Sequence, residues 1–244
     1  MTECTPAVRS ELAPTGTLRV GLNMSNFLLT RQDAATGQPG GVAFDLGTEL
    51  ARRLGVPVNF VPFPNPGALA EAAKSGVWDV GFLGAEPQRA NEIDFTAAYV
   101  EIEATYLVPP GSPIKTMDEV DRKGIRIAVP GKAAYDLYLT RNLKNAELMR
   151  EQGGDNAFRK FVADKLDALA GLRPRLVKDQ QNLPGSRILD GRFTAVQQAA
   201  GTPKGRPAGA QYLRDFIEDV KASGLVAQLI EKNDVRGLTV AAKA

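Results

Sequence analysis

Between Thr17 and Leu83 the sequence alternates short apolar strands with amphipathic helices, and that rhythm constrains the fold more than any other feature. Thr17 to Leu22 reads as a strand, and TGQPGG (36–41) reads as turn material. Phe44 to Leu54 places Leu46, Leu50 and Leu54 on one helical face, with Gly55 where a helix C-cap glycine belongs. Val56 to Val61 reads as the next strand, Ala68 to Lys74 as a helix stopped by Gly76, and Val77 to Leu83 as a buried strand. Strand, helix, strand, helix, strand with short loops implies a parallel sheet flanked by helices. Small ligands bind such sheets beyond the carboxyl ends of the strands.

A boundary follows. Ala104 to Val108 reads as a strand, PPGSP (109–113) is stiff and turn-rich, and the alternation then restarts. The spacing predicts a strand at Ile125 to Val129, a helix at Ala133 to Leu143, and a helix over 155–166 with Phe158, Phe161, Val162 and Leu166 inward. Ala168 to Leu172 reads as a short strand, Arg175 to Gln181 as helix, and Phe193 to Gln198 as a returning strand. The helix at 207–222 carries Leu213, Phe216, Ile217 and Val220 on one stripe, and a last short helix follows Gly224. This is an α/β chain in two lobes, each a mostly parallel sheet flanked by helices. The expected division is a loose N-terminal arm at 1–15, lobe 1 at 16–106, lobe 2 at 107–192, and a return to lobe 1 at 193–244.

Composition excludes several function classes. The 244 residues have a net charge of +2 and no run of five basic residues, which disfavours nucleic acid as a partner. No apolar stretch approaches the roughly 20 residues that a membrane helix needs. Histidine is absent, and Cys4 is the only cysteine. Ser-His-Asp and Cys-His catalysis, Cys/His zinc sites and disulfides are thereby removed together. The glycines form no GxGxxG or GxxxxGK[ST] pattern, so no nucleotide site is expected, and no cofactor or metal is called for. The N-terminal MTECTPAVRSELAPTG has no apolar core of the kind an export signal requires, so Met1 as a native start would imply a cytoplasmic protein.

One stretch carries chemistry: DVGFLGAEPQRANEIDFTAAYV, residues 79–100. An apolar run ends in Gly84, and Arg89 follows in a Pro-containing turn. Arginine just past a strand suits anion capture, because its guanidinium stays charged and its donors match a carboxylate in two parallel hydrogen bonds. The competing reading is a surface arginine on a short helical turn.

Over roughly Gly16 to Asn233 the chain resembles the bacterial extracellular solute-binding proteins of the amino-acid type, family 3. GTLRVGLN (16–23) is similar to the family's opening strand, and GGVAFDLGTELARRLG (40–55) to its "G-F-D-x-D-L" helix. SGVWDVGF (75–82) is similar to its "G-x-x-D" strand, and EPQRANEIDFTAAYV (86–100) to its "T-x-x-R-x-x-x-x-x-F-S-x-P-Y" segment. GSPIKTMDEVDRKGIRIAVPGKAAYDLYL (111–139) resembles the opening of the second lobe. The resemblance implies a two-lobed, type II periplasmic-binding-protein fold that binds a small carboxylate-bearing solute in the inter-lobe cleft with hinge closure. It also implies a monomer that delivers solute to the membrane subunits of an ABC transporter, in the periplasm if exported.

By this resemblance Arg89 grips the ligand carboxylate. Backbone N–H groups at Gly84 and Ala85 stand in for the family's Ser and Thr hydroxyls as an anion nest. Asn23, Ser25, Asn26 and Phe27 after the first strand, Asn65 after the second, and Phe82 complete that wall, with Phe27 and Phe82 equally readable as core. In the second lobe Lys132 and Ala133 replace the family's Gly-Thr-Thr helix start, and Tyr135 follows. Lys132 reads either as a second positive charge toward the ligand or as a solvated lysine. Gln197 and Gln198 fall on the return strand near the hinge.

The sharpest departure is DALAGLRP (167–174). Amino-acid binders of the family carry a carboxylate here for the ligand's ammonium, and this chain has Leu172, then Arg173. A buried ammonium without an anionic partner is costly. The ligand expected is therefore not an ordinary α-amino acid. A carboxylate with a second acidic or polar end suits Arg89 and Arg173 together; alternatively Arg173 braces the lobe. Two further readings stand beside solute transport. A cyclohexadienyl-dehydratase-like enzyme would use Glu86 or Lys132 as proton donor, and a cytoplasmic orphan sensor would lack a transporter.

Overall fold

The computed structural model describes residues 3–32 and 36–244. Met1 and Thr2, at the start of the expected arm, lie outside the described residues. The chain divides into two compact units, Met1–Glu101 with Gln197–Ala244, and Ile102–Val196.

In chain order the helices are α1 (Pro6–Leu12), α2 (Val42–Leu54), α3 (Pro66–Glu71), α4 (Ala134–Asn142), α5 (Gly153–Ala163), α6 (Arg173–Gln181), α7 (Pro207–Ala222) and α8 (Leu225–Lys232). The strands are β1 (Leu18–Asn23), β2 (Arg31–Gln32), β3 (Pro39–Gly40), β4 (Val58–Phe63), β5 (Val80–Gly84), β6 (Ile93–Val108), β7 (Arg126–Pro130), β8 (Glu147–Glu151), β9 (Ala168–Leu172), β10 (Arg187–Ile188), β11 (Thr194–Pro203) and β12 (Thr239–Val240).

In the first unit the strand order is β4-β1-β5-β11-β6, with β12 also on β6. β1 is parallel to both β4 and β5, as the strand–helix alternation requires. β11 runs antiparallel to β5. Trp78 lies fully buried with Leu69, Leu83 and Ile93, and its indole N–H donates to the Leu69 carbonyl at 3.0 Å. Backbone and core meet so closely here that a Cβ at Gly21 would stand 2.4 Å from Leu69 Cδ1. α2 turns its Leu46, Leu50 and Leu54 face into the core and ends on Gly55 at φ 68°, the left-handed cap expected of that glycine. Gly41, before α2, has φ 107°, and a Cβ there would fall 2.5 Å from the Leu29 carbonyl oxygen. Only glycine fits that approach.

The expected loose arm contains a helix. Pro6 opens α1 at its first turn, Thr5 accepts the Val8 N–H, and Arg9 Nε donates to the Leu54 carbonyl at 2.8 Å. Glu11 accepts the Gly209 N–H of α7 at 2.7 Å, and Leu12 is fully buried. The reading missed α1 because a two-turn helix carries too few apolar positions to show a period; its stability comes from packing on α7.

The strongest polar tie in this unit is Asp79, with no exposure at all. Its carboxylate accepts from Arg19 Nε at 2.8 Å, Arg19 Nη2 at 2.8 Å, the Arg19 N–H at 3.1 Å and Arg206 Nη1 at 2.9 Å. One buried anion thereby joins β1, the entry to β5 and the residue that precedes α7.

In the second unit the order is β6-β9-β7-β8, with β10 on β6. β7 is parallel to β8 and β9, and β6 is antiparallel to β9. β8 was not expected. Its sequence ELMRE alternates poorly and carries charges, as an edge strand does. Val162, expected inward on α5, is 43% exposed, while Phe161 and Ala157 fill the inner face. The expected strand at Ala104 to Val108 is the last part of β6, which runs for 16 residues. Asp121 accepts the N–H groups of Lys144, Asn145 and Ala146 at 2.8–3.2 Å, and these bonds hold its carboxyl below the usual range despite burial.

Breaking a buried ion pair by removing one partner costs about 3–5 kcal/mol. Asp79→Ala is expected near about 3 kcal/mol, the low end, because both guanidiniums keep some exposure and can hydrate. Urea unfolding measures it; a loss below about 1 kcal/mol would show that the tie is dispensable.

Candidate functional site

The parallel register Leu22↔Phe82 and Asn23↔Phe63 aligns the carboxyl ends of β1, β4 and β5 in the first unit. Asn23, Asn26, Phe27, Asn65, Gly84, Ala85 and Arg89 all follow from those ends. The segment after β1 is tightly self-bonded. Asn23 Oδ1 accepts from the Ser25 N–H and hydroxyl, Asn26 Oδ1 accepts the Leu28 N–H, and the Thr30 hydroxyl donates to the Asn23 and Asn26 carbonyls. Leu28 and Leu29 are buried pegs, and Phe27 between these anchors is 48% exposed. A rigid loop therefore presents a single aromatic ring.

Arg89 is 5% exposed and sits in a 3-10 turn, Arg89–Asn91, whose first N–H bonds go to the Glu86 carbonyl. It is not the surface arginine of the competing reading. Its Nη1 donates to the Gly84 carbonyl at 2.6 Å, fixing the guanidinium beside the end of β5. Burial lowers its pKa to about 10, and the nearby Glu86 charge opposes that shift. The guanidinium is thus charged at neutral pH in a poorly hydrated place.

The structure corrects other readings of this wall. Ala85 N–H donates to the Gln197 carbonyl at 2.8 Å, because β11 pairs with β5 up to Gln198↔Gly84. That N–H is therefore not open for an anion nest. Phe82 is 3% exposed with its ring edge on Tyr99, 5.8 Å between centroids, and belongs to the core. Asn65 Oδ1 accepts the Ala68 N–H at 2.8 Å as the N-cap of α3, a local role that its Asn-Pro context announces.

In the second unit β7 and β9 pair in parallel, so Lys132, Ala133 and Tyr135 after β7 and Arg173 after β9 share one end of the sheet. Lys132 is exposed with φ 62°, and Asp136 accepts its backbone N–H at 2.8 Å. Ala133 is the N-cap of α4 and offers no side-chain cap. Tyr135 is half-buried against Ala104, Ala134 and Val196. Burial raises its hydroxyl pKa well above the ordinary value; Arg175 opposes that shift, and the carboxylates Asp136 and Asp179 add to it.

Arg173 turns to its own unit. Its Nε donates to Glu103 Oε2 at 2.8 Å and its Nη2 to the Gly191 carbonyl, while Arg192 Nη1 lies 3.6 Å from Glu103 Oε1. Glu103 was missed. It stands 70 residues from Arg173, and no local pattern could have marked the pair. Among the described residues no group of three or more His, Cys, Asp or Glu side chains is placed to hold a metal ion.

The model of the bacterial extracellular solute-binding proteins, family 3, matches residues 18–233. The chain belongs to that family. Solved structures agree on the fold. An ancestral amino-acid-binding protein, described as a precursor of cyclohexadienyl dehydratase, is 24% identical, with TM-score 0.75 over 92% of this chain and 98% of that one. An ancestral arginine-binding protein bound to arginine is 23% identical, with TM-score 0.75 over 89% and 98%. An amino acid ABC transporter substrate-binding protein from Streptococcus pneumoniae, bound to L-arginine, is 19% identical, with TM-score 0.75 over 97% and 100%. The fold is the type II periplasmic-binding-protein fold that the resemblance implied. No curated protein matches the chain. No helix among the described residues is long and apolar enough to cross a membrane.

The two phenylalanines of the wall should separate by stability. Phe82→Ala is expected to cost about 3–5 kcal/mol as a core truncation, and Phe27→Ala no more than about 0.5 kcal/mol. Equal losses in chemical denaturation would contradict the assignment of one to the core and the other to the surface.

Proposed function

We propose that this solute-binding protein takes a small carboxylate lacking an α-ammonium group, and serves as the binding component of an ABC transporter. Arg89 carries the reading. A guanidinium held at 5% exposure by the Gly84 carbonyl is already desolvated and oriented before any solute arrives. A carboxylate meeting it forms charge-assisted bonds in a medium where they are worth more than in water. Its place past the carboxyl end of β5 is where α/β sheets take ligands. Asn23, Asn26 and Phe27 supply neighbouring polar groups and an exposed ring in the same unit.

The reading of a solute without an α-ammonium rests on Leu172, half-buried at the end of β9, where the resemblance to the family implies a carboxylate. The solved neighbours named above bind amino acids by their descriptions, so this chain is read as a departure within its family. Binding, rather than turnover, suits a site in which Glu86 stabilises the charge of Arg89. Prephenate should accordingly be left unconverted.

Arg89→Ala is expected to weaken carboxylate binding roughly a hundredfold, about 3 kcal/mol, with the fold intact. Calorimetry with the best hit of a thermal-shift screen of keto acids, dicarboxylates, aromatic acids and amino acids checks it; unchanged affinity would remove Arg89 from the site. A second expectation concerns pH. Arg89 must be protonated to hold the anion, and without solute its pKa is about 10. Affinity should therefore be flat from about pH 6 to 9 and fall roughly tenfold per pH unit above 10.

A further inference from the structure

Asn23 and Asn26, in the segment after β1, are 6% and 7% exposed, and each has committed its side-chain oxygen to the chain itself. Asn23 Oδ1 accepts the Ser25 N–H at 3.2 Å and the Ser25 hydroxyl at 2.8 Å, and Asn26 Oδ1 accepts the Leu28 N–H at 3.3 Å. A backbone N–H can only donate, so these bonds fix which end of each amide is oxygen and which is nitrogen. The two Nδ2 groups have no partner among the described residues, yet neither is sealed in the interior. Each therefore offers amide hydrogens at the surface from a residue that is otherwise buried.

The main-chain acceptors of both residues are committed as well. The Asn23 carbonyl takes the Asn26 N–H and the Thr30 hydroxyl, and the Asn26 carbonyl takes the N–H groups of Leu29 and Thr30. On the neighbouring strand, the Arg89 guanidinium occupies the Gly84 carbonyl and, like any guanidinium, has donors and no acceptor. Glu86 supports the charge of that guanidinium. At the carboxyl ends of β1 and β5, inside one compact unit, the three side chains thus present donors.

An ammonium group brought against such donors meets no acceptor, and a methylene leaves a desolvated amide N–H unpaired. An oxo oxygen, with two lone pairs and no hydrogen, satisfies the amides. A second carboxylate would also accept, but it would give up its water to neutral dipoles alone. A site built to bond a polar atom rejects the analogue lacking it more strongly than an apolar pocket rejects a smaller one.

We infer that the Asn23 and Asn26 amides read an oxo oxygen of the solute, which makes the preferred class oxo monocarboxylates. The inference rests on the reading of a carboxylate held by Arg89, and it uses residues of the first unit alone.

Calorimetry with valerate, 2-oxovalerate, 4-oxovalerate, norvaline and glutarate tests it, on the intact chain and on Asn23→Asp, Asn26→Asp and Arg89→Ala. The better of the two oxo acids should bind at least about tenfold more tightly than valerate, norvaline or glutarate. Each aspartate variant keeps an oxygen for the Ser25 or Leu28 N–H and replaces the free amide nitrogen with a second carboxylate oxygen. In both, the ratio of oxo-acid to norvaline affinity should fall at least about tenfold. Valerate, norvaline or glutarate binding as tightly as the oxo acids overturns the inference, and so does a failure of both oxo acids to bind. Aspartate variants that fold, by circular dichroism, and keep the original ratio also overturn it. Arg89→Ala separates the two readings. Unchanged affinity there, with the oxo preference intact, removes the carboxylate anchor and leaves the amide donors standing. Lost affinity there, beside unchanged ratios in both aspartate variants, keeps the anchor and removes the donors.

Discussion

Asp79 is the polar centre on which the first unit turns. Burying an isolated carboxylate is prohibitive, so its place in the interior is possible only because Arg19 and Arg206 surround it. Those two arginines come from β1 and from the residue before α7, far apart in the chain. Fixing them to one anion sets the height of β5 against β1, and with it the level at which both strands end. Asn23, Gly84 and the turn bearing Arg89 inherit their positions from that alignment. The ion cluster thus bears on the candidate site only through the strands it aligns.

Two arginines that looked comparable in the sequence have opposite fates. Arg89 is carried by a short turn back over the end of its own strand, where the Gly84 carbonyl holds it away from water. Arg173 begins a helix and reaches Glu103 and the Gly191 carbonyl within its unit. The first keeps a desolvated charge; the charge of the second is cancelled. Arg173 meets Glu103 because strand pairing brings β6 beside β9.

This explains what the sequence could and could not disclose. Helices with full apolar stripes, α2 and α7, were legible to within two residues because burial imposes their period. α1 and β8 were not, since the first depends on α7 for its stability and the second is a charged edge. The position of Arg89 past the end of β5 was legible because the turn that follows that strand is written locally. The pairing of Ala85 with Gln197, the burial of Phe82 and the capture of Arg173 depend on residues 70 or more positions away, or on packing that no local pattern encodes.

The division of the chain also bears on how it is made. Residues 102–196 are contiguous, so the second unit has all its strands within one stretch of sequence. The first unit does not, because β5, paired with β1 on one side, finds its second neighbour only in β11, and β6 receives β12 from residues 239–240. A ribosome releasing this protein from the N-terminus exposes an unpaired edge of β5 for more than a hundred residues of synthesis. Unit one is begun first and finished last, and an open strand edge for that interval is a template for wrong partners. Whatever shields that edge of β5 during synthesis thus bears on the yield of folded protein, beside the stability of the finished fold.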